Sequence, residues 1–321
     1  MPMYYPYLRG KQFEFLALRA MSEELSSEQS EKVRPIIEPV KRAEGSDSQI
    51  LTALSAMLKK GIVFAYILNP QNGDFEKGDE IYFPGEVKTR LKEGGKWQPA
   101  FLLSGDAAWL QMKTDNLIAE NGFKEIILIL PKNEDTSKWD AMMSRQEVKT
   151  IVCCDADSRS TLRQIRRYGK DIVRLDDCFQ MEQRNKDFRG KEDQRFNDDV
   201  AFYAEENFAG FGDYTILPGT YIKSGMLPWV VAIHMTYNKN DEEVWIHHFL
   251  SKTNDNGTEN IQGKFQEAAQ QVKLFFEQQY PQDMTPAVEK LHQYVVKGHY
   301  PGLGVLKKLS IEHHITLMCR K

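Results

Sequence analysis

The sequence predicts an α/β fold: a (β/α)8-type, TIM-like barrel with an added β-hairpin and C-terminal helices. Three observations carry this. Seven short β-rich runs alternate with longer runs of helical periodicity, which argues for parallel strands joined by crossover helices. One run, Ile62 to Leu68, is almost wholly apolar, as suits a strand buried on both faces. The first run leads into Leu8-Arg9-Gly10-Lys11, whose single glycine does not make the phosphate-gripping fingerprint of an open dinucleotide-binding sheet.

The elements follow in order. Tyr4 to Leu8 reads as a strand, and Gln12 to Leu25 as a helix with Phe13, Leu16, Ala17 and Ala20 at helical spacing. Val33 to Val40 is the second strand. Ser46-Asp47-Ser48 is a capping cluster for a helix carrying Ile50, Leu51, Leu54, Met57 and Leu58, which stops at Gly61. After the strand 62–68 come a loop from Gln71 to Gly78 and a weaker helix from Gly85 to Lys92. Pro99 to Leu103, Glu125 to Leu130, Lys149 to Cys154 and Asp171 to Leu175 are the next four strands. Between them lie helices at Ala107 to Asn121, Trp139 to Met143 and Thr161 to Tyr168. The regular pattern then breaks. Gln180 to Arg195 reads as an exposed charged loop, and a helix is expected around Asp198 to Glu206. Trp229 to Tyr237 and Val244 to Leu250, joined by the polar cluster 238–242, form the clearest hairpin in the chain. One of its strands is expected to close the barrel. Helices are expected at 265–278, 287–296 and 303–309. The expected organisation is therefore a barrel over 1–280, including the hairpin near 229–250, and a helical appendage over 281–321.

With 321 residues the chain exceeds one barrel of roughly 250 residues and leaves room for that appendage. Hydrophobic residues make up 41 %, enough to build a core. The net charge of -4 gives no general attraction to nucleic acid or anionic membrane. Residues 159–195 hold eleven Lys and Arg against seven Asp and Glu, an excess too small, with too few aromatic residues, to expect nucleic-acid binding. No apolar run reaches membrane-spanning length, and Met1 to Pro6 lacks the blocks of a signal peptide. Four cysteines are no disulfide framework, so a reducing cytoplasm is the expected compartment.

In a barrel, reacting groups belong where strands end and βα loops begin. Polar residues stand at nearly every such point: Arg9, Lys11, Glu38, Lys41, Asn69, Ser104, Asp106, Asn133, Asp155, Asp157, Asp176, Asp177 and Asp213. Strand ends are polar in every α/β protein, and an Asp after a strand is often the cap of the next helix. Glu38 stands apart. It ends the apolar Ile36-Ile37 strand, Pro39 fixes the chain after it, and a carboxylate there needs a partner, with Arg9 or Lys11 one strand away. It reads as a catalytic or ligand-binding carboxylate, or as a structural ion pair closing the mouth. Asp155, Asp157 and Asp176 are an oxygen-only set of the kind that suits Mg²⁺ or Mn²⁺, although no spacing in it is diagnostic. No zinc spacing of histidines occurs. Cys153-Cys154 lack a neighbouring base and read as small buried hydrophobes.

The segments Tyr4-Tyr5-Pro6-Tyr7-Leu8-Arg9-Gly10-Lys11-Gln12-Phe13-Glu14, Pro35-Ile36-Ile37-Glu38-Pro39-Val40, Ile67-Leu68-Asn69-Pro70, Phe211-Gly212-Asp213-Tyr214-Thr215 and His299-Tyr300-Pro301-Gly302-Leu303-Gly304 resemble an uncharacterised bacterial family related to the phage "beta protein" family. The resemblance implies a barrel-like fold and a partner protein encoded beside it, sometimes in mobile or defence-rich regions. It implies no activity.

Two functional expectations result. In the first the chain is a barrel hydrolase acting on a phosphorylated or nucleotide-like small molecule, in anti-phage defence. Glu38 and Lys11 are then the catalytic pair, Arg9, Lys41, Asn69 and Asp213 bind substrate, and Asp155, Asp157 and Asp176 hold the metal. In the second the barrel is catalytically silent. It then docks its partner through the hairpin from Trp229 to Leu250 together with the C-terminal helices, with Trp229, Trp245 and Tyr237 as anchors.

Overall fold

The computed structural model describes residues 3–42, 48–78, 80–92, 96–223, 228–253 and 257–321. The parallel strands β1 (Tyr7–Leu8), β2 (Ile36–Ile37), β3 (Phe64–Ile67), β4 (Trp97–Leu102), β5 (Ile126–Leu130), β6 (Val148–Cys153) and β7 (Asp171–Asp176) lie side by side in chain order. β8 (Asp193–Asn197) leaves this ring, and β9 (Gly210–Asp213) takes the eighth place beside β7. The ring closes where Tyr4 bridges Phe211 in parallel. Tyr5 N donates to Phe211 O at 2.8 Å and Phe211 N donates to Met3 O at 2.7 Å.

The composition of β9 follows from that seam. A Cβ on Gly212 would sit 2.2 Å from Tyr5 O, and one on Gly210 would sit 2.8 Å from Met3 O. Only glycine lets the last strand come this close to the first.

Among the described residues, twelve buried hydrophobic side chains pack together in the barrel interior, among them Tyr5, Tyr7, Ile36, Ile67, Leu102, Ile129, Val152 and Leu175. The outward set packs under the crossover helices. These are α1 (Gln12–Glu24), α2 (Ser27–Glu31), α3 (Gln49–Lys60), α4 (Gly85–Lys92), α5 (Ala107–Asn121), α6 (Asp140–Met143) and α7 (Arg159–Arg166). Local chemistry sets their ends. Ser26 and Gln29 form a reciprocal capping box at α2. Asp106 accepts from Trp109 N at 2.7 Å to start α5, which stops at left-handed Gly122. Of the capping cluster expected before α3, Ser46 and Asp47 lie outside the described residues. Ser48 occupies the cap position without a side-chain cap bond.

The hairpin does not close the barrel. β10 (Ala232–Asn238) pairs antiparallel with β11 (Val244–Leu250), and β11 pairs with β8, which makes a separate three-stranded sheet. The reason is its second apolar face. Ile233, Met235, Tyr237 and Phe249 bury themselves under α9 (Ile261–Gln278), α10 (Pro286–Val296) and α11 (Leu303–Met318). The stretch expected as an exposed loop, Gln180 to Arg195, thus contributes most of an edge strand as well as the buried Phe188. The short helix α8 (Asp199–Phe202) follows it. The expected boundary at 280 falls inside this second core, because α9 packs with α10 and with the hairpin.

α11 joins the two cores. It packs against α1 on one side and β10 on the other, and nearly every residue after Leu309 is buried. Its polar residues are therefore paired inside. His314 Nε2 lies 3.1 Å from Asp213 Oδ2, and His314 Nδ1 lies 3.0 Å from Thr236 Oγ1. His313 Nε2 lies 2.7 Å from Thr236 O. Lys308 contacts Glu312, and Lys290 contacts Glu24 of α1. Burial raises the Glu312 carboxyl to a pKa of about 7.

Candidate active site

A cavity of about 780 Å³ opens at the C-terminal ends of the strands, where a barrel places its reacting groups. Strand alternation delivers its inner wall. Tyr7 points inward from β1, so Arg9 does too, and Glu38 follows inward-facing Ile36 of β2.

Glu38 is wholly buried and fully bonded. Tyr7 OH donates to its Oε2 at 2.8 Å, Gln71 N to its Oε1 at 3.0 Å, and Asn72 Nδ2 reaches both oxygens at 2.9 and 3.0 Å. Arg9 Nε lies 3.9 Å from Oε2. The Arg9 guanidinium also donates to the carbonyls of Pro218 and Gly219 and sits 5.0 Å from the Tyr214 ring centroid. Gly219 N in turn donates to Asp177 Oδ1 at 2.7 Å. Arg9 and Glu38 thus tie the segment after β9 across the opening.

The other wall is built around Arg174. It is the lone cation in β7, between inward-facing Val173 and Leu175, so it projects to the outer rim. Its Nε lies 2.6 Å from Asp176 Oδ2 and 3.2 Å from Asp199 Oδ1. Its amino groups reach Asp157 at 2.7 Å and Glu206 at 3.7 Å. One guanidinium serves four carboxylates. Burial raises the Asp176 carboxyl above the usual range. Burial, with Asp176 adding to it and Arg174 opposing, raises Asp199 to about 7. Asp199 Oδ2 is buried with no hydrogen-bond partner among the described residues.

Of the residues expected to form the site, Glu38, Arg9, Asp155, Asp157 and Asp176 line this one cavity. Four do not. Lys11 turns away: its Nζ donates to Ile222 O and lies 4.6 Å from the Tyr221 ring centroid, in a different groove. It follows inward-facing Arg9 by two residues, but α1 begins at Gln12 and the strand alternation ends with it. Lys41 is exposed and outside the lining. Asn69 is buried and pins β3 to β4, its Nδ2 donating to Leu102 O at 2.8 Å and its Oδ1 accepting from Leu102 N at 2.9 Å. Asp213 is wholly buried, held by Tyr4 OH at 2.7 Å, Thr215 N at 2.8 Å and His314. It binds the second core, not the cavity. The bond to its amide holds Thr215 at φ 58°, a left-handed conformation strained for a β-branched residue.

The carboxylates expected to hold Mg²⁺ or Mn²⁺ are engaged by other groups. Among the described residues, no group of three or more His, Cys, Asp or Glu side chains is arranged to hold a metal ion. Asp157 and Asp176 are neutralised by Arg174, and Asp155 Oδ2 accepts from Thr161 Oγ1 at 3.0 Å. Cys154 reaches the cavity, but burial pushes its thiol up to about 12, so it stays protonated and is a poor nucleophile.

No protein-family model, curated protein or solved structure matches the chain, so the resemblance to the phage "beta protein" relatives gains no support from them. No described helix is long and apolar enough to cross a membrane.

Proposed function

We propose that the barrel mouth is a hydrolytic site working by general acid–base catalysis on a small polar molecule, with Asp199 as the proton-exchanging group. The observation that carries this reading is the Asp199 carboxyl. It borders the cavity of about 780 Å³, is raised to a pKa of about 7 by burial, and keeps one oxygen without a hydrogen-bond partner among the described residues. Asp176 shares the same Arg174 Nε, and two carboxyls so close do not both ionise easily. One protonated and one ionised carboxyl is the pairing that lets a site protonate a leaving group while activating water. Glu38 plays a different part here. With every oxygen bonded, it holds the mouth's shape and fixes Arg9.

Charge sets the substrate class. Among the described residues, seven carboxylates line the cavity against Arg9, Lys132, Arg174 and Arg195. Arg9 and Arg174 are already engaged, and Arg195 pairs with Asp198 and Glu243. A phosphorylated substrate would meet net negative potential, so a neutral hydroxylated or cationic substrate fits better.

The test is a panel of chromogenic glycosides, esters and amides assayed from pH 5 to 9. Turnover of the wild type should bend near pH 7. Asp199→Asn should lose that limb and at least about 100-fold in rate, while circular dichroism stays unchanged. Full activity in Asp199→Asn would end the proposal.

A second reading, a silent barrel that docks a partner, draws on a groove of about 660 Å³ where Trp229 is 46 % and Met181 53 % exposed. Of the expected anchors only Trp229 is free for it: Tyr237 is buried, and Trp245 Nε1 donates to Glu243 at 3.2 Å. Trp229→Ala would leave hydrolysis unchanged under the first reading and abolish partner binding under the second.

A further inference from the structure

We infer that the opposite, N-terminal face of the barrel holds a binding site for a nucleoside phosphate. A groove of about 590 Å³ opens there, beside the start of β4, in the range of small-ligand sites. Phe83, Trp97 and Phe123 form its aromatic wall. Trp97 and Phe123 meet edge to face with centroids 5.5 Å apart, and Phe83 lies 5.7 Å from Trp97. All three rings are only partly buried.

Cations surround these rings. Lys88 and Lys92 lie four residues apart on α4, hence on one face of it, and Lys96 and Lys124 flank Trp97 and Phe123 in the chain. Lys88 Nζ sits 5.8 Å from the Phe83 ring centroid. Deeper in, Arg34 donates to Gln98 Oε1 at 2.9 Å, and its buried Nε has no hydrogen-bond partner among the described residues. Glu125 is the one carboxylate in the described lining, and it is engaged by Gln98 Nε2 at 3.0 Å. Among the described residues Lys88, Lys92, Lys96 and Lys124 form no ion pair.

Four lysines gathered on one rim repel each other, and in a chain of net charge -4 nothing global requires it. An anion would relieve the repulsion. A bare polyanion would make no use of the aromatic wall, and an uncharged ring would make no use of the lysines. A ligand joining phosphates to a base uses both, with phosphates on the lysines and the base against Trp97. The site is separate from the mouth: Trp97 begins β4, whereas Leu102 at its far end lines the mouth cavity.

The experiment titrates the whole chain with ADP, with inorganic pyrophosphate and with a short oligothymidylate, at low and at raised salt. Binding is read by calorimetry and by tryptophan fluorescence. ADP should bind, weaken with salt, and bind at least about tenfold more tightly than pyrophosphate. Lys92→Glu with Lys96→Glu should weaken ADP by a further factor of about ten or more. Trp97→Phe should remove the fluorescence change while calorimetry still detects ADP. These are surface substitutions, and unchanged circular dichroism confirms that each variant folds. No ADP binding at millimolar concentration, undiminished binding by the double lysine variant, or equal binding of pyrophosphate overturns the inference. So does oligothymidylate binding without ADP binding, which would assign the groove to a nucleic-acid strand.

Discussion

His314 Nε2 and Asp213 Oδ2 stand 3.1 Å apart, and neither side chain has any exposed surface. This contact fastens the C-terminal helix α11 to the last barrel strand. His314→Ala should leave the carboxylate short of a partner in a dry interior and cost about 3–5 kcal/mol. Urea unfolding monitored by circular dichroism measures it. A loss under about 1 kcal/mol would show that Tyr4 and the Thr215 amide alone satisfy Asp213.

The barrel seam makes a steric prediction. Gly212→Ala should destabilise the fold by about 3 kcal/mol or more, since Tyr5 O cannot retreat without breaking the closing bonds. Gly85→Ala, at the first residue of α4 with open space around it, should change stability by less than about 0.5 kcal/mol. Similar losses in the two variants would rule out the seam as the cause.

Removing Arg174 should have an effect that grows with pH. Both carboxyls, Asp176 and Asp199, already titrate above the usual range and Arg174 opposes that rise, so its loss raises them further, and acid, by protonating them, lessens the cost of losing it. At high pH they must either ionise without their partner or hold a proton against the solution. Arg174→Met should therefore cost little at pH 5 and about 1–3 kcal/mol at pH 8. Denaturant midpoints across that range give the difference, and a pH-independent cost would mean that Arg174 acts only by packing.

Glu312 should impose a pH dependence of its own. Its carboxyl titrates near 7 in the fold and near 4.3 when unfolded. The native state therefore holds the proton more tightly, and stability falls as pH rises from about 4.3 through about 7. Glu312→Gln cannot ionise, so relative to the wild type it should gain on the order of 1–3 kcal/mol between pH 5 and 8. A constant difference between the two proteins over that range would refute the shift.

The alternation of short strands with amphipathic helices was enough to read seven barrel strands, because each carries a run of apolar residues into a buried parallel position. The eighth was not legible. Gly210-Phe211-Gly212-Asp213 is selected by close approach to Tyr5 and not by β propensity, so the better-looking hairpin strands were favoured for its place. At the mouth, residues facing inward by simple alternation, Arg9 and Glu38, were found from their positions alone. Asp199 and Arg174 were missed because their meeting depends on how the chain returns after β8. A signal did exist: an arginine between Val173 and Leu175 is a costly residue in such a strand unless carboxylates wait for it. Lys11, Asn69 and Asp213 were overread because a polar residue after a strand looks the same whether it faces the cavity, stitches strands together or anchors another core.

The bridge between Tyr4 and Phe211 also constrains how the molecule is made. A ribosome must deliver more than two hundred residues after Tyr4 before the ring has its last member. Until then the growing chain carries an unfinished sheet whose first and seventh strands are bare edges, open to adhesion with other chains. Long-range closure of this kind is slow. Crowding of nascent chains on one messenger is therefore the circumstance in which this protein is most exposed to misassembly.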